Sequence, residues 1–181
     1  VTTVLFNDQY KMLYNRRELK DVRKMTDKDY TPGGMTALLD AVGRTIHKMD
    51  MVSGIHRKDK GNKVLFVIIT DGEENDSREY TYADVKKLIK DRQENAGWEF
   101  IFLGANIDAA AAAENLGIDR DRAVKYKNTG SGVRANFKAV AELSDSLAKS
   151  GRVSDEWKET VEKDEDDAAD KQSAAVTLHR R

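Results

Sequence analysis

The sequence predicts an α/β protein: a doubly wound, mostly parallel sheet flanked by helices. Three observations predict it. Short apolar, β-branched runs alternate with longer segments whose apolar residues recur at helical spacing. The most apolar run, Val64-Leu65-Phe66-Val67-Ile68-Ile69, carries no polar face, as suits a strand covered on both sides of a parallel sheet. The chain has 181 residues, about one domain's worth, since domains usually run ~100–200 residues.

Residues 1–6 are β-branched and apolar and stop at Asn7-Asp8, a turn signal. Lys11 to Glu18 is a partner strand at an edge, with imperfect alternation around Met12 and Tyr14. A charged stretch, Leu19 to Asp29, leads to the loop Tyr30-Thr31-Pro32-Gly33-Gly34, which holds the sole proline. From Thr36 to about Met51 the chain reads as a helix. Leu38, Val42, Ile46 and Met49 fall on one face. Ser53 to Lys63 is a polar loop before the strand Val64–Thr70, which ends at Asp71-Gly72.

Thr81 and Asp84 have the spacing of a capping box and open a helix with Val85, Leu88 and Ile89 inward. Trp98–Leu103 is the next strand. Asn106 or Asp108 caps the alanine-rich helix Ala109–Leu116, with Gly117 as its left-handed terminator and Ile118 folding back. Arg122–Tyr126 is a short strand. After the loop Asn128-Thr129-Gly130-Ser131-Gly132, a helix lined by Val133, Phe137, Val140 and Leu147 ends near Gly151. The expected organisation is thus one α/β domain over 1–150 and a charged tail over 151–181, helical or disordered. Residues 155–170 hold nine acidic and two basic residues. Composition favours a solvated tail there, and Trp157 offers the other reading, a docking anchor.

Composition bounds the function. Lys plus Arg is 31 and Asp plus Glu is 32, a net charge of −1, which argues against binding nucleic acid by bulk charge. There is no cysteine, so disulfides, thiolate catalysis and Cys-type zinc sites are excluded. No apolar run approaches the ~18–20 residues of a membrane span, and residues 1–6 do not read as a signal peptide. A cytoplasmic protein with no membrane partner is the expectation.

Two segments stand out at positions where open α/β sheets bind ligands, the ends of strands and the starts of helices. Pro32-Gly33-Gly34-Met35-Thr36-Ala37-Leu38 and Val67-Ile68-Ile69-Thr70-Asp71-Gly72, with the opening Thr3-Val4-Leu5-Phe6-Asn7-Asp8, resemble the von Willebrand factor type A family over roughly residues 1–149. The resemblance implies a Rossmann-like fold and a metal-ion-dependent adhesion site. That site combines Asp-x-Ser-x-Ser after the first strand, a threonine in a Gly-rich loop and an aspartate after the fourth strand. Thr36 matches the second element and Asp71 the third. No Asp-x-Ser-x-Ser occurs in the sequence. The first, central strand of the family is therefore expected to lie upstream of Val1, with the present strands split around a gap; the alternatives are that another chain fills its slot or that the fold differs.

The resemblance implies Mg²⁺, or Mn²⁺ with similar oxygen preferences, held by the Thr36 hydroxyl and the Asp71 carboxylate and bound weakly or not at all without the missing motif. An open coordination position then takes an acidic side chain of a partner protein. Relatives of this kind inside bacterial and phage-type cells serve as assembly components. Each residue also has a plainer reading: Thr36 as a helix N-cap, Asp71-Gly72 as a strand-ending turn. Glu73, Glu74 and Asp76 read as a solvated acidic loop. Gly130-Ser131-Gly132 reads as an ordinary connection rather than a phosphate cradle. His47, His56 and His179 are dispersed, and the basic residues from His56 to Lys63 read as a solvated loop. No Ser–His–Asp or paired-carboxylate pattern is legible, so an interaction module is expected, not an enzyme. The alternatives are a metal-free structural subunit of the same fold and, behind it, a metal-dependent phosphatase or hydrolase using Asp71.

Overall fold

The computed structural model describes residues 1–26, 28–31, 33–55, 63–153 and 155–162. Pro32, the basic loop at 56–62, the acidic run beyond Glu162 and His179 lie outside the described residues. The elements in order are β1 (Thr3–Phe6), β2 (Tyr10–Tyr14), α1 (Leu38–Ile55), β3 (Leu65–Thr70), α2 (Tyr82–Ala96), β4 (Glu99–Gly104), α3 (Ala109–Leu116), β5 (Ala123–Lys125) and α4 (Gly130–Ser150). The chain divides into two compact units, Val1–Lys60 with Glu73–Leu88, and Gly61–Gly72 with Ile89–Arg181.

In the first unit β1 and β2 form an antiparallel hairpin with Phe6 opposite Tyr10. Asn7 makes its turn: its side-chain oxygen accepts the Gln9 N–H at 2.7 Å. The second strand is shorter than the expected Lys11–Glu18. It ends at Tyr14 because Arg16 takes a positive φ of 50°, which extended pairing does not allow. On α1, Leu38, Val42 and Ile46 are buried and Met49 half-buried, the stripe that the spacing predicts. The helix starts two residues after Thr36. Thr81 and Asp84 form the expected box: the Asp84 carboxylate accepts the Thr81 N–H at 2.9 Å and its hydroxyl at 2.6 Å.

The second unit is a three-stranded parallel sheet, β3-β4-β5, flanked by helices. Register pairs Leu65 with Glu99 and Phe102 with Ala123. β4 is the central strand, and Phe100 to Leu103 are all fully buried. β3 was expected to be covered on both faces. It is instead an edge strand among the described residues, with only Ile68 and Thr70 buried. The apolar run predicts a buried strand, but burial is decided by neighbours that the run itself does not specify.

The two faces of this sheet differ. On one, Phe66, Phe100 and Trp98 stack, with ring centroids 5.2 and 6.1 Å apart. On the other, Leu65, Val67 and Ile69 pack with Ile101 and Leu103 against Ala139 and Leu143 of α4. Val153, Trp157 and Val161 complete that core, each no more than 6% exposed. Val153, Trp157 and Val161 are therefore packed, not part of a solvated tail. Three large apolar side chains at steps of four decide this, while Glu156 and Glu159 between them are exposed. Trp157 is the anchor that the alternative reading proposed.

α3 has the termini expected of it. Asp108 accepts the Ala111 N–H at 3.0 Å, Gly117 has φ 83°, and the Ile118 N–H returns to Ala113 at 2.9 Å. On α4 the expected Leu147 is buried and Val140 packs against the core, while the start of the helix differs from expectation by one residue of phase. Gly132, Asn136, Ala139, Leu143 and Leu147 face the core, while Val133 and Phe137 are 38% and 59% exposed. The cause is Gly132. A Cβ there would stand 2.1 Å from the Lys127 carbonyl oxygen, so glycine sets the face of closest approach. Alanine normally stabilises a helix relative to glycine by ~1 kcal/mol. Gly132→Ala is expected to do the reverse and cost about 1–3 kcal/mol, read by urea denaturation.

Candidate functional site

Thr36 follows Gly33 and Gly34, whose φ angles of 138° and 87° carry the loop into α1. At Gly34 a Cβ would lie 2.4 Å from an Asp8 carboxylate oxygen, so the loop runs directly against the end of β1. Asn7 holds it there, donating from Nδ2 to the Gly33 carbonyl at 3.0 Å and accepting the Ala37 N–H on its main-chain oxygen at 2.8 Å. Asn75 clamps the Thr36 backbone at both ends. Its Oδ1 accepts the Thr36 N–H at 2.8 Å, and its own N–H donates to the Thr36 carbonyl at 3.0 Å.

The free N–H groups at the start of α1 are satisfied from residues 74–77, not by Thr36. Leu39 N–H donates to Glu74 Oε2 at 3.0 Å, and Asp40 N–H to Ser77 Oγ at 3.1 Å. Glu74 also accepts the N–H groups of Asp76 and Ser77 at 3.0 and 2.8 Å and the Ser77 hydroxyl at 2.7 Å. The reading of Glu74 as part of a solvated acidic loop is therefore corrected. A carboxylate at a helix start finds unbonded N–H groups and a favourable dipole, and both draw it in. Asp40 completes the arrangement. Its carboxylate, 7% exposed, accepts the N–H groups of Arg78, Glu79 and Tyr80 at 3.0, 2.9 and 2.9 Å. Burial pushes the Asp40 pKa up, but the three N–H donors outweigh it and hold the carboxyl below its ordinary value. Arg44 and Glu79 pair beside it at 2.6 Å.

The Thr36 hydroxyl makes no hydrogen bond among the described residues. It is not an N-cap, and its oxygen is uncommitted at the mouth of a helix whose dipole is already neutralised by carboxylates. That end of α1 offers nothing to an anion.

Asp71 belongs to the second unit and is described by itself. It is exposed and follows β3 directly. One of its oxygens, Oδ2, accepts the Asn128 amide at 3.1 Å. The turn it sits in is made by Thr70, whose hydroxyl donates to the Gly72 carbonyl at 2.9 Å and accepts the Gly72 N–H at 3.3 Å. The turn itself does not use the Asp71 carboxylate, and among the described residues Oδ1 has no protein donor.

The donor set is small. Among the described residues no group of three or more His, Cys, Asp or Glu could hold a metal ion. Thr36 and Asp71 offer oxygen, the right element for Mg²⁺ or Mn²⁺, but two ligands of the usual six. Each, taken within its own unit, is one oxygen donor of a kind such an ion accepts, and too little to hold it tightly alone. The Gly130-Ser131-Gly132 turn is not a phosphate cradle: the Gly132 N–H donates to Thr129 Oγ1 at 3.1 Å, an ordinary cap. His47 is exposed on α1, its ring 5.9 Å from that of Tyr80.

Asn75, Glu74, Asp40 and Asn128 are absent from the sequence reading of the site. Only the acidic run after Asp71, where Glu74 reads as solvated, hinted at them, because pairing across 35 to 57 residues leaves no local pattern. Asn136 went unnoticed as well; it is 1% exposed, with neither amide atom bonded to protein. Among the described residues no helix is long and apolar enough to cross a membrane. Comparison with protein-family models, with curated proteins and with solved structures finds no match.

Proposed function

We propose that this chain is a protein-interaction module of von Willebrand factor A type with the doubly wound fold of that family. In this reading the Thr36 hydroxyl and the Asp71 carboxylate belong to one divalent-cation site that captures an acidic side chain of a partner protein. The observation that carries the reading is the uncommitted Thr36 hydroxyl. The loop is held by Asn7 and Asn75, the helix is capped by Glu74 and Ser77, and the Thr36 hydroxyl makes no hydrogen bond among the described residues. Asp71 supports it in the same way, since Thr70 builds the turn that Asp71 would otherwise explain. Among the described residues no group of three or more His, Cys, Asp or Glu completes such a site, so weak binding is the expectation in this reading.

Thermal melting tests the reading. Mg²⁺ or Mn²⁺ at about ten times a millimolar Kd is expected to add roughly 1.4 kcal/mol and raise Tm by ~3–6 °C. Asp71→Ala and Thr36→Val each remove that gain while leaving the ion-free Tm within ~1 °C, because neither side chain supports the fold. Identical melts with and without the ion would favour the second reading, a metal-free structural subunit. The small donor set is the observation on its side.

A further inference from the structure

The half of the Asn75 side chain that the fold does not use carries a further inference, which rests on the reading above of a partner's carboxylate captured at Thr36. Asn75 and Thr36 belong to the same compact unit. The Thr36 N–H is a donor, so the Asn75 atom that meets it at 2.8 Å is the acceptor Oδ1. That bond assigns the amide, because the other way round would set donor against donor. The Asn75 main-chain N–H closes the clasp on the Thr36 carbonyl at 3.0 Å. Nδ2, on the same carbon as Oδ1, has no hydrogen bond among the described residues, and Asn75 is exposed.

The residue type sharpens the point. Glu73-Glu74-Asn75-Asp76 is an acidic run with one neutral member. An aspartate at 75 would accept the Thr36 N–H as well or better, since charge on the acceptor strengthens a hydrogen bond. What asparagine has and aspartate lacks is the NH₂ group, and the clasp makes no use of it. The Thr36 hydroxyl is free as well. Two uncommitted polar groups therefore flank a single hydrogen bond.

Their surroundings limit what they can receive. Glu74 is taken up by the N–H groups of Leu39, Asp76 and Ser77. Arg78, the cation that follows, is paired with Asp76 at 3.1 Å. A bare carboxylate is repelled by this run, and a bound cation offsets the repulsion. A carboxylate has two oxygens, and an ion that takes one leaves the other in need of a donor. The neutral NH₂ of Asn75 is the donor at hand.

We propose that Asn75 Nδ2 is a ligand-binding donor of the Thr36 site, which bonds the second oxygen of the partner's acidic side chain. It also makes the site selective for chemistry as well as charge. A carboxamide ligand presents its own NH₂ where that second oxygen stands, and two donors then face each other.

Nuclear magnetic resonance of the isotopically labelled full chain tests this on side-chain and main-chain N–H signals. The probe is acetate in the presence of Mg²⁺, with acetamide as the neutral control. The Asn75 NH₂ pair and the Thr36 amide are expected to shift together and saturate with acetate, and to stay still with acetamide. Asn75→Asp keeps an acceptor for Thr36 and removes the donor. It is expected to leave hydrogen exchange at Thr36 and the Mg²⁺ shift there intact, and to weaken acetate roughly tenfold or more. Asn75→Ala adds no charge and is expected to weaken acetate too, with faster exchange at Thr36 because the clasp opens. Full acetate affinity in Asn75→Ala would reduce the aspartate effect to charge and overturn the proposal. So would equal affinity in Asn75→Asp, or an NH₂ pair that ignores acetate, and these results leave the cation reading standing. A wild-type Thr36 amide indifferent to Mg²⁺ would overturn both.

Discussion

Asp40→Ala is expected to destabilise the protein by about 3–5 kcal/mol, more than any other single truncation of a polar side chain described above. Asp40 is buried, and its two oxygens hold three consecutive N–H groups, from Arg78, Glu79 and Tyr80. The three bonds are part-buried, so each orphaned donor costs ~1 kcal/mol, the low end of the range for an unmade bond, and alanine replaces none of them. The favourable placement of a carboxylate in the first turn of α1 is lost as well. Asp40→Asn keeps one acceptor but turns an NH₂ toward N–H donors, so it too is destabilising.

The pH dependence has a definite sign. The folded pKa of Asp40 lies below its ordinary value. Its contribution is therefore fully present above the unfolded pKa of ~3.9 and is lost as pH falls through the folded value. Chemical denaturation of the wild type from about pH 5 downward is expected to show a loss of stability that Asp40→Asn partly flattens. An Asp40→Ala variant within 1 kcal/mol of wild type would show that these three bonds are dispensable.

Phe102→Ala is expected to cost about 3–5 kcal/mol for a different reason. Phe102 is fully buried at the middle of β4, the central strand of the parallel sheet. A neighbour strand on each side fixes the backbone, so the site cannot collapse to fill the void. Phe66 on β3 has the same side chain and only one neighbour strand, and it is half-buried. Phe66→Ala is expected to cost less than half as much. Urea midpoints of the two variants compare a central strand with an edge strand directly; equal losses would contradict the description of β3 as an edge.

Much of the fold was legible because it is written in local chemistry. The stripe Leu38, Val42, Ile46, the Thr81–Asp84 box and the Asp108 and Gly117 ends of α3 are short-range signals, and each matches the structure. The departures arise from long-range partners. β3 reads as doubly covered from its composition, yet coverage depends on which strands lie beside it. The phase of α4 depends on Gly132 against Lys127, a close approach that no periodicity reveals. Residues 153–161 look like tail because charge dominates their composition, while three apolar side chains decide where they pack.

The same division holds at the candidate site. The motif segments drew attention to Thr36 and Asp71 themselves. What surrounds them, Asn75 on the Thr36 backbone, Glu74 on the start of α1 and Asn128 on Asp71, comes from sequence-distant residues. Asn75 and Glu74 take over the structural tasks that would otherwise account for the threonine. At the aspartate Thr70 builds the turn, and Asn128 bonds one of the two carboxylate oxygens.

The central claim is that these two residues share one cation. Amide resonances of the isotopically labelled chain, followed as Mn²⁺ is added, test it most directly, because the paramagnetic ion broadens nuclei near it. The account predicts that the amides of Met35, Thr36, Asp71 and Gly72 fade together at the same low ion concentration, and that Asp71→Ala preserves all four. Broadening at one pair alone, or at acidic surface residues with both pairs untouched, would contradict it.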